Sequence, residues 1–308
     1  MIVSFDIGGT AIKGGIAHTM TDITPLARRP TPKHDFGEFV QALRSIIAET
    51  GEKPDCISFS IAGVVDPDTQ ALICANIPCI HGRRLADELE AELGYPVLIA
   101  NDADCFAMAE AMSGAGRGHR IVFGAILGTG VGGGLVADGR LVNAAGGFAG
   151  EWGHGPIIAS FAGNPPVAIP AYPCGCGQKG CVDTVGGARG VERLHKTLHG
   201  LELSSEEIIR QWLGGNARAE RTIDVLVDLV ASPLALTINI TGATIVPVGG
   251  GLSKVEPLLA RLDAAVRARI LRKFDRPLVV PSECKVEPGL IGAALLGLKS
   301  VDERNHAA

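Results

Sequence analysis

Short apolar runs that stop at glycine alternate along this chain with longer stretches whose apolar positions recur at helical spacing, the alternation expected of an α/β fold. Ile2 to Ile7 reads as a strand, Gly8-Gly9-Thr10 as a tight turn, and Ala11 to Ala17 as the returning strand of a hairpin. An amphipathic helix is predicted over about Phe36 to Glu49. Short buried strands follow over Ile57 to Ile61 and Val97 to Ala100, with helices over about Arg84 to Leu93 and Cys105 to Met112. The small-residue run Ser113-Gly114-Ala115-Gly116-Arg117-Gly118 reads as a crossover, after which Ile121 to Leu127 begins a new strand. That strand meets a second glycine turn, Gly128 through Gly134, and returns as Leu135-Val136-Ala137, so the opening theme occurs twice, as a duplicated, two-lobed nucleotide-binding architecture requires. A capping-box pattern at Ser204 and Glu207 opens one later helix, and another is predicted near Ala217 to Val230. Thr244 to Val248 then reads as a strand ending in the turn Gly249-Gly250-Gly251, and Pro257 to Leu271 as a helix.

The length of 308 residues, 46% of them apolar, suits two compact lobes, here expected at residues 1–118 and 119–289. A net charge of -5 with scattered Lys and Arg offers no basic stripe for a nucleic-acid backbone. Met1 leads straight into a strand with no basic region ahead of an apolar stretch, and no uninterrupted apolar run is long enough to span a bilayer. A cytoplasmic enzyme without membrane or nucleic-acid partners is the expectation. Eight cysteines then argue against a disulfide framework and for a closer look at their clustering. Cys56, Cys74, Cys79, Cys105 and Cys284 are dispersed, whereas Cys174, Cys176 and Cys181 are not.

Glycine turns at strand ends let main-chain N–H groups approach phosphate oxygens, and the three turns at residues 8–9, 128–134 and 249–251 are candidates for that role. Gly128, Gly130 and Gly133 satisfy the spacing G-x-G-x-x-G with Glu151 downstream, but that dinucleotide fingerprint must open a helix, and here the chain continues as a strand. No G-x-x-x-x-G-K-[ST] loop is present. The pair Asn101-Asp102 follows a short apolar strand, where an α/β lobe exposes functional side chains; Asp102 acting only as a helix cap is the competing reading. Asp6 interrupts an apolar strand ahead of a glycine turn, where an unpaired carboxylate is costly, so a cation is an expected partner. His154, Cys174, Cys176 and Cys181 offer one imidazole and three thiolates, the composition of a closed structural zinc site, with glycines that let a short loop wrap one ion.

Asp6-Ile7-Gly8-Gly9-Thr10, Asn101-Asp102-Ala103, Gly128-Thr129-Gly130-Val131-Gly132, Gly150-Glu151-Trp152-Gly153-His154 and Cys174-Gly175-Cys176-Gly177-Gln178-Lys179-Gly180-Cys181 together resemble, in this order, the ROK family of bacterial sugar kinases. The resemblance runs from about Val3 to Leu298 and implies an actin-like, hexokinase-type α/β fold: two ribonuclease-H-like lobes with ATP and sugar in the cleft, and a final helix, 290–308, returning to the first lobe. It implies Asp102 as general base on the sugar 6-hydroxyl. Asp6, Gly8, Gly9, Thr10 and Lys13 are implied at the phosphates and Mg²⁺, Gly130, Val131 and Gly132 at phosphate from the other lobe, and Gly249, Gly250 and Gly251 near the adenosine. Asn76, Asn101, Glu151, His154 and Asp183 are implied on the sugar, with His154 also a ligand of structural Zn²⁺ beside Cys174, Cys176 and Cys181. The family usually has Glu where Asp183 stands, which bears on substrate identity. The segments Ala75-Asn76-Ile77-Pro78, Asn101 to Ala111 and Gly175 to Cys181 look most like N-acetylglucosamine kinases, with N-acetylmannosamine second and glucose or fructose as alternatives. Family members are often dimers, so a homodimer is open. A sugar-responsive regulator of the same family is disfavoured because the first strand starts at residue 2, leaving no room before it for a helix-turn-helix; an actin- or chaperone-like ATPase is disfavoured by the cysteine loop and the Glu151/His154 pair.

Overall fold

The structure, a computed structural model, describes residues 1–20 and 22–307. Five of the six side chains of β1 (Ile2–Ile7) are buried, as a central strand covered on both faces demands. It pairs antiparallel with β2 (Ala11–Thr19), Ile7 opposite Ile12, and β2 pairs in turn with β3 (Asp22–Pro30). The sequence pattern does not disclose β3, because as an edge strand it is mostly exposed and carries Pro25 and Pro30, which an edge tolerates. Helix α1 (Phe36–Ala48) is capped by Asp35, whose side chain accepts from Glu38 N, and buries Phe39, Val40, Leu43 and Ile46. β4 (Cys56–Ile61) runs parallel to β1; the small pair β5 (Val64–Val65) and β6 (Leu72–Ile73) leads to α2 (Leu85–Leu93), which ends at left-handed Gly94, and β7 (Val97–Asn101) runs parallel to β4. α3 (Asp102–Ser113) follows without a loop, three residues earlier than its apolar pattern predicts.

The remaining elements repeat the plan. β8 (Ile121–Leu127) and β9 (Val131–Ala137) flank the second glycine turn, followed by the short strands β10 (Arg140–Leu141), β11 (Phe161–Ala162) and β12 (Val167–Ala168). Helices α4 (Asp183–Gly186), α5 (Ala188–His199), α6 (Ser205–Leu213) and α7 (Ala217–Thr241) precede β13 (Val246–Gly249), α8 (Glu256–Arg267), β14 (Val279–Pro281) and α9 (Pro288–Ala307). One sheet is ordered β3-β2-β1-β4-β7 and the other β10-β9-β8-β13-β14. In both, a hairpin is followed by two further strands in parallel, β4 and β7 in one and β13 and β14 in the other. Two compact units result: residues 1–118, 134–149 and 284–308, and residues 119–133 and 150–283. Segment 134–149 thus belongs to the first unit, not to a lobe covering 119–289. The reason is local: Gly134 sits on α3 too closely for any side chain, and Asn143 donates to the Asp104 carboxylate. α9 packs on α3, β1 and β4; of the expected helix 290–308, Ala308 lies outside the described residues.

α7 runs through Pro233 to Thr241, well past the predicted end at Val230. A proline inside a helix costs about 3 kcal/mol, but Leu226, Leu229, Val230, Leu234, Ala235 and Ile238 are all buried on either side of it, and their burial outweighs that cost. α7 is long and apolar enough to cross a membrane, yet most of it is buried in its own unit against α5, α6 and α8. One contact beside it is pH-sensitive. His195 on α5 is fully buried, its Nδ1 lies 2.9 Å from Thr222 Oγ1, and its Nε2 has no partner. Burial, then neighbouring His199 and Arg218, hold its pKa below 6.5, and burial lowers that of His199 as well. The unfolded chain therefore binds protons more readily than the folded one as pH falls below about 6.5. Thermal midpoints should fall between pH 7 and pH 5.5, as stability drops by up to ~1.4 kcal/mol per pH unit while the buried His195 stays neutral. His195→Gln should flatten that slope; an unchanged slope in differential scanning fluorimetry would assign the pH response elsewhere.

Candidate active site

In the first unit, β1 ends in the turn Gly8-Gly9-Thr10, closed by Gly8 N donating to Ala11 O and held from outside by Thr31 Oγ1 donating to Gly8 O at 2.7 Å. Gly9 lies under the Asn76 side chain, with the Lys33 ammonium close by. Asp6 is not the lone carboxylate its sequence position suggests. Its Oδ2 lies 3.3 Å from Lys13 Nζ on β2, and its Oδ1 accepts from Ser60 Oγ on β4 at 3.0 Å. Lys13 also donates to Glu287 at 2.6 Å. Burial works against the Lys13 ammonium, but Glu287 and Asp6 outweigh it and hold its pKa above the ordinary value. Glu287 keeps a left-handed backbone, φ +47°, that few non-glycine residues adopt, and this position escapes sequence reasoning because nothing near it resembles a motif. Gly289 packs against the same two groups: a Cβ there would meet Asp6 and Ser60 within 3 Å.

At the far end of β7, Asn101 is the cap of α3: its Oδ1 accepts from Ala103 N at 2.8 Å and its amide donates to Gly63 O at 2.9 Å. Both ends of that side chain are thus engaged by the protein, where the family resemblance implies a sugar contact. Asp102 is the first helical residue, exposed to solvent, with Oδ1 also near Ala103 N. The capping duty falls on Asn101, so the reading of Asp102 as a mere cap does not hold.

In the second unit the glycine turn between β8 and β9 is a packing platform. Gly130, Gly133 and Gly186 have no left-handed backbone; what they need is space. A Cβ on Gly130 would overlap Asp183 Oδ1, and one on Gly133 would strike Trp152 and Phe123. Trp152 lies edge-on to Phe123 and donates its indole N–H to Gly132 O at 2.8 Å, which lays the Glu151-Trp152-Gly153-His154 turn directly on β9. Gly250, φ +88°, abuts Leu127 and Gly128 so closely that the second and third glycine turns form one surface. Asp183 opens α4 and reaches into this surface: its Oδ1 accepts from Val131 N at 2.8 Å, while Oδ2 faces Cys174 Sγ at 3.8 Å. Its carboxylate therefore braces the turn against the cysteine loop, a role the sequence comparison with Glu does not suggest.

Glu151 Oε2 lies 3.7 Å from His154 Nε2, and burial, partly offset by His154, raises the Glu151 pKa. The other imidazole nitrogen, Nδ1, is 3.6 Å from Cys174 Sγ, and Cys176 and Cys181 are 3.6 Å apart. The four candidate ligand atoms all lie within 4.8 Å of one another. A tetrahedral zinc with bonds of about 2.3 Å needs sulfur–sulfur edges of roughly 3.8 Å, so the donor set fits that ion in chemistry and in size. The Cys176 thiol is pulled down to about 7, first by the Gln178 N–H, so this candidate ligand gives up its proton more readily than an ordinary cysteine.

Residues 2–300 match the ROK family. The chain belongs to it. This ROK protein is 36% identical over 304 residues to the N-acetylgalactosamine kinase of Shewanella sp. strain ANA-3, an alignment covering 96% of each chain. It is 34% identical over 304 residues to the N-acetyl-D-glucosamine kinase of Photobacterium profundum, covering 97% of this chain and 100% of that one. Among solved structures it is similar to the ROK hexokinase of Thermus thermophilus, with a TM-score of 0.83 at 27% identity over 98% of this chain and 99% of that one. It also resembles a ROK glucokinase of Streptomyces griseus in complex with glucose and AMPPNP, with a TM-score of 0.73 at 26% identity over 97% and 99%. The actin-like, hexokinase-type α/β fold expected from the sequence is the fold of this chain.

Proposed function

We propose that this ROK protein is a cytoplasmic sugar kinase that transfers the terminal phosphoryl group of ATP to the 6-hydroxyl of an N-acetylhexosamine, N-acetylglucosamine first and N-acetylmannosamine second. The observation that carries this reading is the exposed Asp102 at the start of α3, released from capping by Asn101, in a chain 34% identical along its length to an N-acetyl-D-glucosamine kinase. The N-acetylgalactosamine kinase relative adds a further N-acetylated hexose to those worth testing. Phosphoryl transfer passes through a loose transition state, so the protein aligns the hydroxyl, supplies N–H dipoles and excludes water. In this scheme Asp102 accepts the proton of the attacking hydroxyl. Glu151 and His154 hold sugar hydroxyls, while Gly9 and Thr10, and Gly130 and Gly132 of the second turn, present main-chain N–H groups to phosphate oxygens; the N–H groups of Gly8 and Val131, also expected there, are taken by Ala11 O and Asp183 Oδ1. Gly249 to Gly251, adjoining Gly128, would lie near the adenosine.

Lys13 and Asp6 flank the first turn, and Asp6 would hold Mg²⁺, which when bound carries part of the phosphate charge. His154, Cys174, Cys176 and Cys181 would hold Zn²⁺, which when bound locks their loop and orients the His154 ring. Asp183, braced on Val131 N, sets where the glycine turn lies rather than touching sugar. Losing one such charge-assisted hydrogen bond costs about 1.5–3 kcal/mol, so Asp183→Ala should lower kcat/KM by roughly ten- to hundredfold, and Asp183→Asn, which keeps an acceptor, should recover most of it. Equal loss in both variants would return Asp183 to a sugar contact that needs its charge. The decisive experiment for the function is ADP release from Mg-ATP with N-acetylglucosamine, N-acetylmannosamine, N-acetylgalactosamine, glucose and fructose offered separately. No turnover on any of them in zinc-replete protein would overturn the kinase reading.

A further inference from the structure

The chain passes between its two compact units four times, after Gly118, Gly133, Ala149 and Glu283. On the side of the first unit, all four passages are fastened to one helix, α3, the helix that opens with Asp102. Gly134 lies on the first turn of α3, where a Cβ would come within 3 Å of Ala103 O, Asp104 Cα and Ala107 Cβ. Ala149 is clamped by the Asn143 amide, which accepts from Ala149 N at 3.1 Å and donates to Ala149 O at 2.7 Å. Asn143 is in turn held by the Asp104 carboxylate, at 3.0 and 3.3 Å, and both side chains are buried.

The first and the last passages share a single group. Glu110 is fully buried, and its Oε2 accepts from Ala115 N at 2.9 Å while its Oε1 accepts from Cys284 N at 2.8 Å. Its main-chain carbonyl also accepts from Gly114 N and Gly116 N, and Cys284 Sγ donates to Ala109 O at 3.5 Å. Gly114 must be glycine because a Cβ there would overlap the Glu110 carboxylate. A buried carboxylate is costly unless main-chain donors satisfy it, and these donors come from segments 169 residues apart in sequence, Ala115 and Cys284 (284 − 115).

We propose that Glu110 is a positioning residue for the phosphoryl transfer: it clasps the first and last passages onto the helix that carries Asp102, so that the chain leaving the first unit and the base move as one body. This rests on the kinase reading above, because Asp102 has a base's role only there. Glu110 lies eight residues along the helix from Asp102, about 12 Å by helical rise, and so does not touch the same hydroxyl. Its effect is on placement, and a misplacement of about 1 Å costs on the order of 10²-fold in rate.

The test uses full-length, zinc-replete protein and Glu110→Gln, whose amide can accept for only one of the two N–H groups. Expected are faster hydrogen exchange at whichever of the Ala115 and Cys284 amides loses its acceptor, unchanged sugar affinity within threefold by Trp fluorescence or calorimetry, and kcat per folded molecule lower by at least tenfold. Wild-type kcat per folded molecule in a variant of lowered stability would reduce Glu110 to a structural role and overturn the proposal. Should Glu110→Gln fail to fold, the wild-type protein still decides. Exchange at Ala115 and Cys284 must respond together when sugar and a non-hydrolysable ATP analogue bind, and a response at one alone overturns the clasp. If wild-type protein turns over no sugar, the kinase reading fails in the ADP assay, a result separable from the exchange pattern.

Discussion

Asp102→Asn is expected to lower turnover by about 10²- to 10⁴-fold, the range for removal of a general base, with fold, zinc content and sugar affinity kept. The structure makes this substitution clean. Asn101, not Asp102, caps α3, and the hydrogen bond that Asp102 Oδ1 accepts from Ala103 N can be accepted equally by an asparagine carbonyl. What the amide cannot do is take the proton of the attacking hydroxyl. Because the loose transition state of phosphoryl transfer asks little else of the residue, the loss should appear in kcat and leave the sugar KM within a few-fold. Single-turnover kinetics on the preferred sugar would check it. Near-normal turnover removes Asp102 from the mechanism and with it the main support for the proposed chemistry.

The hairpin strands, the glycine turns and the cysteine loop were legible because each combines a short-range pattern with a physical requirement that little else satisfies. Ser204 shows how far that extends: its hydroxyl does accept from Glu207 N, but the Glu207 carboxylate turns forward to Arg210 and Gln211, so only half of the capping box forms. Where long-range burial decides, local pattern fails. Pro233 punctuates α7 in the sequence but not in the fold, and β3 lacks apolar alternation because it is an edge. The partners of Asp6 and Lys13, Ser60 and Glu287, are invisible to motif reading since they come from 54 and 274 residues away. Asp104 and Glu110 were within reach: two acids in a helix whose residues 103 to 111 are otherwise apolar signal buried carboxylates with main-chain or amide partners. The glycines of the second turn were read as phosphate contacts, and their immediate cause is closer to hand, since Gly130 and Gly133 leave room for Asp183 and Trp152.

Cys176→Ser is expected to abolish zinc binding and to weaken sugar binding by tenfold or more. Cys176 is the exposed member of the cluster and packs no core, so its replacement would remove a proposed metal ligand and little else. Serine is a poor substitute because its hydroxyl stays protonated at neutral pH, whereas Cys176 is poised near 7 by the Gln178 N–H. The loop from Pro173 to Gly180 is closed by main-chain hydrogen bonds, Cys174 N to Gln178 O, Gly177 N to Cys174 O and Gly180 N to Tyr172 O, and a bound ion would add a link through the cysteine side chains that these do not supply. The coupling to sugar runs through His154, whose two ring nitrogens face opposite ways: Nδ1 to the Cys174 sulfur and Nε2 to the Glu151 carboxylate. A metal held by His154 would fix its tautomer and ring plane, and thereby where Glu151, the proposed sugar ligand, points. Elemental analysis of the purified variant and calorimetric titration with the preferred sugar measure the two effects separately. A metal-free variant that binds sugar as the parent does would sever the link, leaving His154 to orient Glu151 by hydrogen bonding alone and the cysteines to a purely structural role.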